Sequence, residues 1–87
     1  MKNISEINFD GTILKVNGII TKVLGMGVFN VKLQTLIPKL NEIVIVATVS
    51  GKMRIRFINL SLGNEVTVLI DSRYGLNKGR IVYRNKR

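Results

Sequence analysis

The chain has 87 residues, 46% of them hydrophobic, and it contains neither cysteine nor histidine. A chain of this length forms one domain around a single thin core. The lack of cysteine and histidine removes disulfides, the thiolate nucleophile, the commonest general base and the usual ligands of transition metals. The five carboxylates are scattered without ligand-like spacing. We therefore predict that the protein is not an enzyme and that it holds no metal and no cofactor.

The charge is strongly positive and unevenly distributed. Fourteen Lys and Arg against five Asp and Glu give a net charge of +9. Residues 51–87 carry nine cations and two anions, whereas residues 1–50 carry five and three. Such a field favours a polyanionic partner, with nucleic acid first and an anionic membrane surface second. The chain begins without an apolar signal region and has no run long enough to span a bilayer, so we expect it not to be secreted or membrane-bound.

The first part of the chain is predicted to form a β-hairpin. Residues 1–6 are expected to be loose, and residues 7–16 alternate as a strand does. Asn17-Gly18 is the strongest hairpin-turn signal in the chain. Lys15-Val16 recurs as Lys22-Val23. We therefore interpret residues 17–23 as an insertion that lengthens the first hairpin.

Two further strands are predicted in the middle of the chain. Residues 28–34 alternate cleanly, which directs Phe29 towards the core. Residues 35–41 contain the single proline and form a loop, the second apparent insertion. Residues 43–49 are apolar on both faces apart from Thr48, which predicts a central strand.

Residues 50–57 follow directly and form a segment that we call the basic corner. Ser50 is a plausible N-cap for a short helical turn. The next residues alternate cations with apolar side chains, and the sets are Lys52, Arg54, Arg56 and Met53, Ile55, Phe57. This pattern predicts a segment that is anchored to the core on one side and cationic on the other. The alternative is a solvated connector between two strands.

The last part of the chain supplies two more strands, over residues 66–70 and 81–84, joined by a loop that carries Arg73 and Tyr74. Residues 85–87 form a basic tail. The sequence thus predicts an all-β fold, a five-stranded OB-fold Greek-key barrel with a short helical turn between its third and fourth strands. An SH3-like barrel has the same number of strands, but the long connector over residues 50–64 favours the OB-fold. We expect a single domain over residues 1–87.

Several segments resemble a known family, the bacterial-type translation initiation factor 1. The resemblance extends from residue 7 to the end of the chain. Its most specific motifs are Ser-Gly-Lys-Met-Arg at residues 50–54 and Lys-Gly-Arg-Ile-Val-Tyr-Arg at residues 78–84. Weaker motifs are Gly-Thr-Ile-Leu at residues 11–14, Phe-Asn-Val-Lys-Leu at residues 29–33 and Gly-Asn-Glu-Val-Thr-Val at residues 63–68.

The resemblance implies a function. A protein of this family would bind the small ribosomal subunit at the aminoacyl-tRNA (decoding) site, as a monomer. Its partners would be ribosomal RNA (rRNA), an adjacent ribosomal protein and the other initiation factors. Together with a composition rich in Ile, Asn and Lys, which is typical of AT-rich genomes, this implies a bacterial cytoplasm or an organelle interior, with the plastid stroma favoured among organelles.

The resemblance also implies the site. It assigns rRNA contacts to Lys52, Arg54, Phe57, Lys78, Arg80 and Arg84, and we add the neighbouring cations and aromatic residue Arg56, Arg73 and Tyr74 to these candidate rRNA-binding residues. Asn59 departs from the family, which usually has an arginine there, and the neighbouring Arg56 offers a replacement charge. Gly79 is interpreted either as a close approach of backbone to RNA or as a bulge at the start of a strand. For Tyr83 we favour packing over base stacking.

Two other functions fit a basic OB-fold. A free single-stranded RNA-binding protein or RNA chaperone would use rows of exposed aromatic side chains. The five aromatic residues here form no tight repeat, which argues against it. A structural ribosomal protein would be favoured by long basic tails, and those of this chain are short.

Overall fold

Six strands and one short helix make up the described part of the protein. A computed structural model describes residues 12–51 and 59–85, together with the backbone of residues 6–7. The elements in chain order are β1 (Glu6–Ile7), β2 (Ile13–Gly25), β3 (Val28–Gln34), β4 (Val44–Val49), β5 (Glu65–Asp71), the 3₁₀ turn η1 (Ser72–Tyr74) and β6 (Lys78–Arg84).

Strands β2 to β6 close into a barrel. The strand order is β1-β2-β3-β4-β6-β5, and β5 returns to pair with β2. All neighbours are antiparallel except β4 and β6, which run parallel. Closure pairs each of the five long strands with two others around the barrel, which protects those edges from pairing with other chains. Residues 22–25 of β2 extend beyond the pairing with β5 and pair with β3. This five-stranded closed barrel confirms the predicted all-β OB-fold. The two-residue strand β1 adds to it by pairing with β2.

Alternating apolar side chains fill the interior of the barrel. Strand β3 directs Phe29, Val31 and Leu33 inward, and Phe29 is only 6% exposed, so its predicted place in the core is confirmed. The other buried hydrophobic residues come from every long strand and from one connection: Leu14, Val16, Ile20, Leu40, Ile45, Ala47, Val66, Val68, Ile70 and Ile81. Within the described ranges, no helical segment has the length and apolar character that a membrane span requires.

Asn17-Gly18 is not a turn, and this prediction was wrong. Strand β2 passes through both residues and pairs them on one side with Gln34 and Leu33 of β3 and on the other with Thr67 and Val66 of β5. The hairpin turns instead at residues 25–27, which have positive φ angles of 98°, 55° and 76°. The predicted insertion therefore divides into residues 17–20, which belong to the barrel, and an exposed ribbon that begins at residue 21.

Gly18 is required by a close approach of strands. A Cβ atom at this position would lie 2.5 Å from Val31 Cγ1 and 2.9 Å from the Lys32 carbonyl oxygen. Real Cβ atoms do not come this close to other heavy atoms, so any larger residue would force β2 and β3 apart. The glycine that marked a turn in the sequence thus allows tight packing in a barrel wall.

Strand β4 is central in the sheet but buried on one face only. It pairs with β3 on one side and with β6 on the other. Ile45 and Ala47 point into the core, whereas Val44 and Val46 are 50% and 44% exposed. The predicted central position is confirmed. The apolar outer face is exposed because a small barrel has a single interior, and no second layer covers β4 in the described structure.

The connection between β3 and β4 closes one end of the barrel. Leu40 is fully buried in the core cluster, and Ile37 packs against it. The turn is held by the Leu40 amide, which donates to the Ile37 carbonyl at 3.0 Å, and by the Thr35 amide, which donates to Asn41 Oδ1 at 3.2 Å. The second apparent insertion is thus a loop, as predicted, and it also contributes to the core.

A polar cluster joins three strands on the outer surface of the barrel. The buried Thr67 hydroxyl on β5 lies 3.0 Å from Asn17 Oδ1 on β2 and 2.9 Å from Asn85 Oδ1 just after β6. It has one proton, which it donates to one of the two amide oxygens at a time. The cluster therefore links the end of the last strand to the middle of the barrel wall.

Replacing Thr67 with valine is expected to lower the free energy of unfolding by about 1–2 kcal/mol, because half-buried amide groups lose a hydrogen-bond partner. Thermal melts measure the change. Thr48→Val is the matched control, since Thr48 is exposed on β4 and its replacement is expected to change stability by less than about 0.5 kcal/mol. Equal melting temperatures for the two variants would contradict a structural role for the cluster.

Candidate nucleic-acid interface

Strand β6 places two predicted contact residues on the outside of the barrel. Its pattern is alternating: Lys78 and Arg80 are exposed, while Ile81 is fully buried. Lys78 lies opposite Val46 of β4, and Arg80 lies between Thr48 of β4 and Leu69 of β5. Both cations therefore project from a strand that is paired with β4 at both positions and with β5 from Arg80 onwards, which limits the freedom of the backbone that carries them.

Gly79 between these cations faces the core. A Cβ atom there would lie 2.5 Å from Val68 Cγ1 and 3.0 Å from Ile45 Cδ1. The residue lies within β6 and is not a bulge at its start, so that interpretation was wrong, and the register shift of β6 lies further along, opposite Thr67 and Val68. The packing of β6 against the core is sufficient to explain why glycine occurs between the two cations.

A shallow cleft of about 300 Å³ brings three of the predicted residues together. It is lined by Ile13, Thr48, Leu69, Asp71, Tyr74, Lys78, Gly79 and Arg80. Tyr74 comes from η1 and is 74% exposed. Cations, an exposed aromatic ring and aliphatic side chains thus border one depression, where phosphates and an unstacked base have suitable partners.

The cleft is next to a residue that the sequence analysis missed. Lys15 is exposed on β2 and lies directly opposite Leu69, which in turn lies opposite Arg80. The two cations therefore belong to one row across three strands. Only the pairing of β2 with β5 brings them together, and no local pattern around Lys15 predicts that pairing.

Arg73, another predicted contact, is engaged by a carboxylate. Its Nε donates to Asp71 Oδ1 at 2.9 Å, and its Nη2 donates to Asp71 Oδ2 at 2.6 Å. The Asp71 side chain also caps η1, because it accepts the Arg73 amide at 3.0 Å. The side-chain hydrogen bonds from Arg73 hold the pKa of the Asp71 carboxyl below its ordinary value. The Arg73 guanidinium carbon lies 5.7 Å from the centre of the Tyr74 ring, within cation–π range.

Arg84, the last of the predicted contacts that the structure describes, and Tyr83 lie towards the other end of β6. Arg84 is exposed, and its Nη1 donates to the Asn59 carbonyl at 3.2 Å. Tyr83 is 61% exposed. The preference for packing at Tyr83 was therefore wrong, because the register shift in β6 turns this ring to the outer surface beside Thr67.

Four predicted contacts, Lys52, Arg54, Arg56 and Phe57, lie outside the described residues, as does the rest of the predicted helical turn beyond Gly51. Residues on both sides of this gap form hydrogen bonds with β6. The Ser50 amide donates to the Ile81 carbonyl at 2.9 Å, and the Asn59 carbonyl accepts Arg84. The ends of the basic corner are therefore attached to the strand that carries Lys78, Arg80 and Arg84.

The barrel and its cations define an OB-fold domain of the kind that binds nucleic acids through its outer strands and loops. No protein-family model matches the chain. Among solved structures, the chain is similar to the solution structure of translation initiation factor 1 from the Wolbachia endosymbiont strain TRS of Brugia malayi. The two share 34% sequence identity over 91% of this chain and 85% of that chain, with a TM-score of 0.65. The chain belongs to the family of translation initiation factor 1.

Membership of this family confirms three predictions: the resemblance stated from the sequence motifs, a role in translation initiation, and the classification as an RNA-binding factor and not an enzyme. Among the described residues, no group of three or more carboxylates could hold a metal ion.

Proposed function

We propose that the protein binds the small ribosomal subunit at its aminoacyl-tRNA (decoding) site through rRNA, and that it assists the other initiation factors there. The observation that carries this proposal is the cleft in which Tyr74, Lys78 and Arg80 meet on the outer face of the barrel. Lysine and arginine neutralise phosphates, and an exposed aromatic ring can stack on a base that is not paired.

The basic corner completes the proposed surface. Lys52, Arg54 and Phe57 are assigned to it from their match to the family motif. Arg56 is assigned as a replacement charge, and Arg84 from its place at the end of the corner. Because Arg84 contacts the backbone of Asn59, it supplies a guanidinium group at the position where the family usually has an arginine. Arg84 therefore offers a replacement for that charge, as the neighbouring Arg56 does.

The partners and location follow from the same proposal. The protein acts as a monomer, next to a ribosomal protein of the small subunit, in a bacterial cytoplasm or an organelle such as a plastid. The closed barrel supports a monomer, since each of the strands β2 to β6 already pairs with two neighbours around the barrel and leaves little edge for pairing with a second copy.

A free single-stranded RNA-binding function is supported less well. Proteins of that kind stack successive bases on several exposed aromatic rings of the sheet. Phe29 is buried on β3, and the exposed aromatic residues in the described structure are Tyr74 and Tyr83. Two separated rings do not form such a row.

Chemical footprinting of small-subunit rRNA tests the proposed function. We expect protection of decoding-site nucleotides when the protein is added, and loss of this protection when an aminoacyl-tRNA already occupies the site. Protection at a distant rRNA segment, unaffected by tRNA, would contradict the proposal.

Binding to the subunit is also expected to depend steeply on salt. If about five phosphates are neutralised, the logarithm of the association constant should fall linearly with the logarithm of salt concentration, with a slope of about −4. Titration of labelled protein onto subunits across a salt series measures this slope. An affinity that stays constant across the series would show that the cations do not contact phosphates.

A further inference from the structure

Asp71 is an unexpected lining residue of the cleft. The chain carries a net charge of +9, and the cleft is bordered by Lys78 and Arg80. A carboxylate at this place repels phosphate. The Asp71 side chain is 23% exposed, so its charge reaches the solvent of the cleft.

The Asp71 carboxylate also accepts hydrogen bonds from the N–H groups with which Arg73 would bind a phosphate. An arginine side chain binds a phosphate through two parallel N–H···O hydrogen bonds, and it binds a carboxylate in the same way. Arg73 already uses Nε and Nη2 in such a paired contact with Asp71. An RNA phosphate that uses these two donors of Arg73 must therefore displace Asp71, and a phosphate that approaches the Nη1 edge still lies beside the negative charge of Asp71.

We propose that Asp71 is a specificity-determining residue that holds Arg73 away from unstructured RNA. The inference rests on the proposed function of RNA binding. The Arg73 side chain is 62% exposed, and a surface ion pair of this kind contributes little net free energy in water. A folded RNA that offers several fixed phosphates can displace Asp71, whereas a single mobile phosphate gains too little. The pair thus restrains non-specific binding by a strongly basic protein.

Asp71→Asn removes the competing charge and keeps the local fold. An asparagine can still accept the Arg73 amide as the cap of η1, but it is a weak partner for the guanidinium group. Affinity for a single-stranded oligouridylate, measured by fluorescence anisotropy at low salt, should rise by about five- to tenfold, the scale of one ordinary hydrogen-bonded contact at an exposed site. The salt slope should steepen by about 0.7, the value for one further phosphate on a single strand.

Glu42→Gln is the matched control, because it makes the same change of net charge at an exposed position between β3 and β4. It should raise the affinity for oligouridylate by less than about twofold, as expected when only the overall electrostatic field of the protein changes. An equal rise in the two variants would overturn the proposal, because the effect of Asp71 would then be its charge and not its contact with Arg73.

A double-mutant cycle gives the decisive comparison. Arg73→Gln should change oligouridylate affinity by less than about twofold in the parent, where Asp71 holds the arginine, and should lower it about five- to tenfold in the Asp71→Asn variant. Additive effects of the two substitutions would overturn the proposal. Strong weakening by Arg73→Gln in the parent would overturn it even if Asp71→Asn failed to fold. These measurements use free RNA, so a protein that did not bind ribosomes would fail the proposed function and still give a clear answer here.

Discussion

Replacing Gly18 with alanine is expected to lower the free energy of unfolding by about 2–3 kcal/mol, within the range for overpacked interiors. The added methyl group would lie 2.5 Å from Val31 Cγ1 and 2.9 Å from the Lys32 carbonyl oxygen. A side chain such as Val31 can rotate, but a backbone carbonyl in a paired strand can move only with the strand. The substitution therefore strains the contact between β2 and β3, where the barrel wall is tightest.

Gly51→Ala is the matched control for this experiment. A Cβ atom at Gly51 meets no described heavy atom within 4 Å, so the same chemical change should leave stability unchanged or raise it by up to about 1 kcal/mol through the unfolded chain. Urea denaturation of both variants gives the two free energies. If Gly18→Ala proved as stable as Gly51→Ala, residues 17–18 would form an open turn, as the Asn-Gly dipeptide suggests, and the continuous β2 strand would be wrong.

The failure of the Asn-Gly signal shows what local patterns omit. Glycine is favoured both where a turn needs positive φ and where another strand comes close, and a sequence does not distinguish these uses. Strand β3 was predictable because its inward and outward residues alternate strictly over seven positions. The exposure of the outer face of β4 was not predictable, because an apolar run has the same sequence pattern in a barrel strand with one exposed face and in a strand buried on both faces.

The residues of the candidate site likewise include some that the sequence predicts and some that only the fold brings together. Lys78, Arg80 and Tyr74 were predictable, because family motifs and strand alternation locate them without knowledge of pairing. Lys15 was not, because it joins Arg80 only through the register of β2 with β5. Arg73 was predicted as an RNA contact from its residue type alone. Its engagement by a carboxylate two residues away depends on the geometry of η1, which composition does not reveal.

Removing the two cations of the cleft is expected to have the largest effect on binding. Each exposed cation on β6 that contacts phosphate should contribute about 1–2 kcal/mol, towards the lower end of the range for charged hydrogen bonds. The double variant Lys78→Gln/Arg80→Gln should therefore lose about 2–4 kcal/mol of subunit affinity, roughly 30- to 1000-fold. The salt slope should become shallower by about 2, because two phosphate contacts are lost.

The control for this variant must lose the same charge outside the cleft. Lys32→Gln/Lys39→Gln does so on β3 and on the connection to β4, where both lysines are exposed. Subunit binding should then fall by less than about 1 kcal/mol, since distant surface charges are screened at physiological salt. Both double variants should melt within a few degrees of the parent, because exposed substitutions change stability by about 0.5 kcal/mol or less each. Equal losses of affinity in the two variants would mean that the subunit responds to the total charge of the barrel and that the cleft is not its contact site.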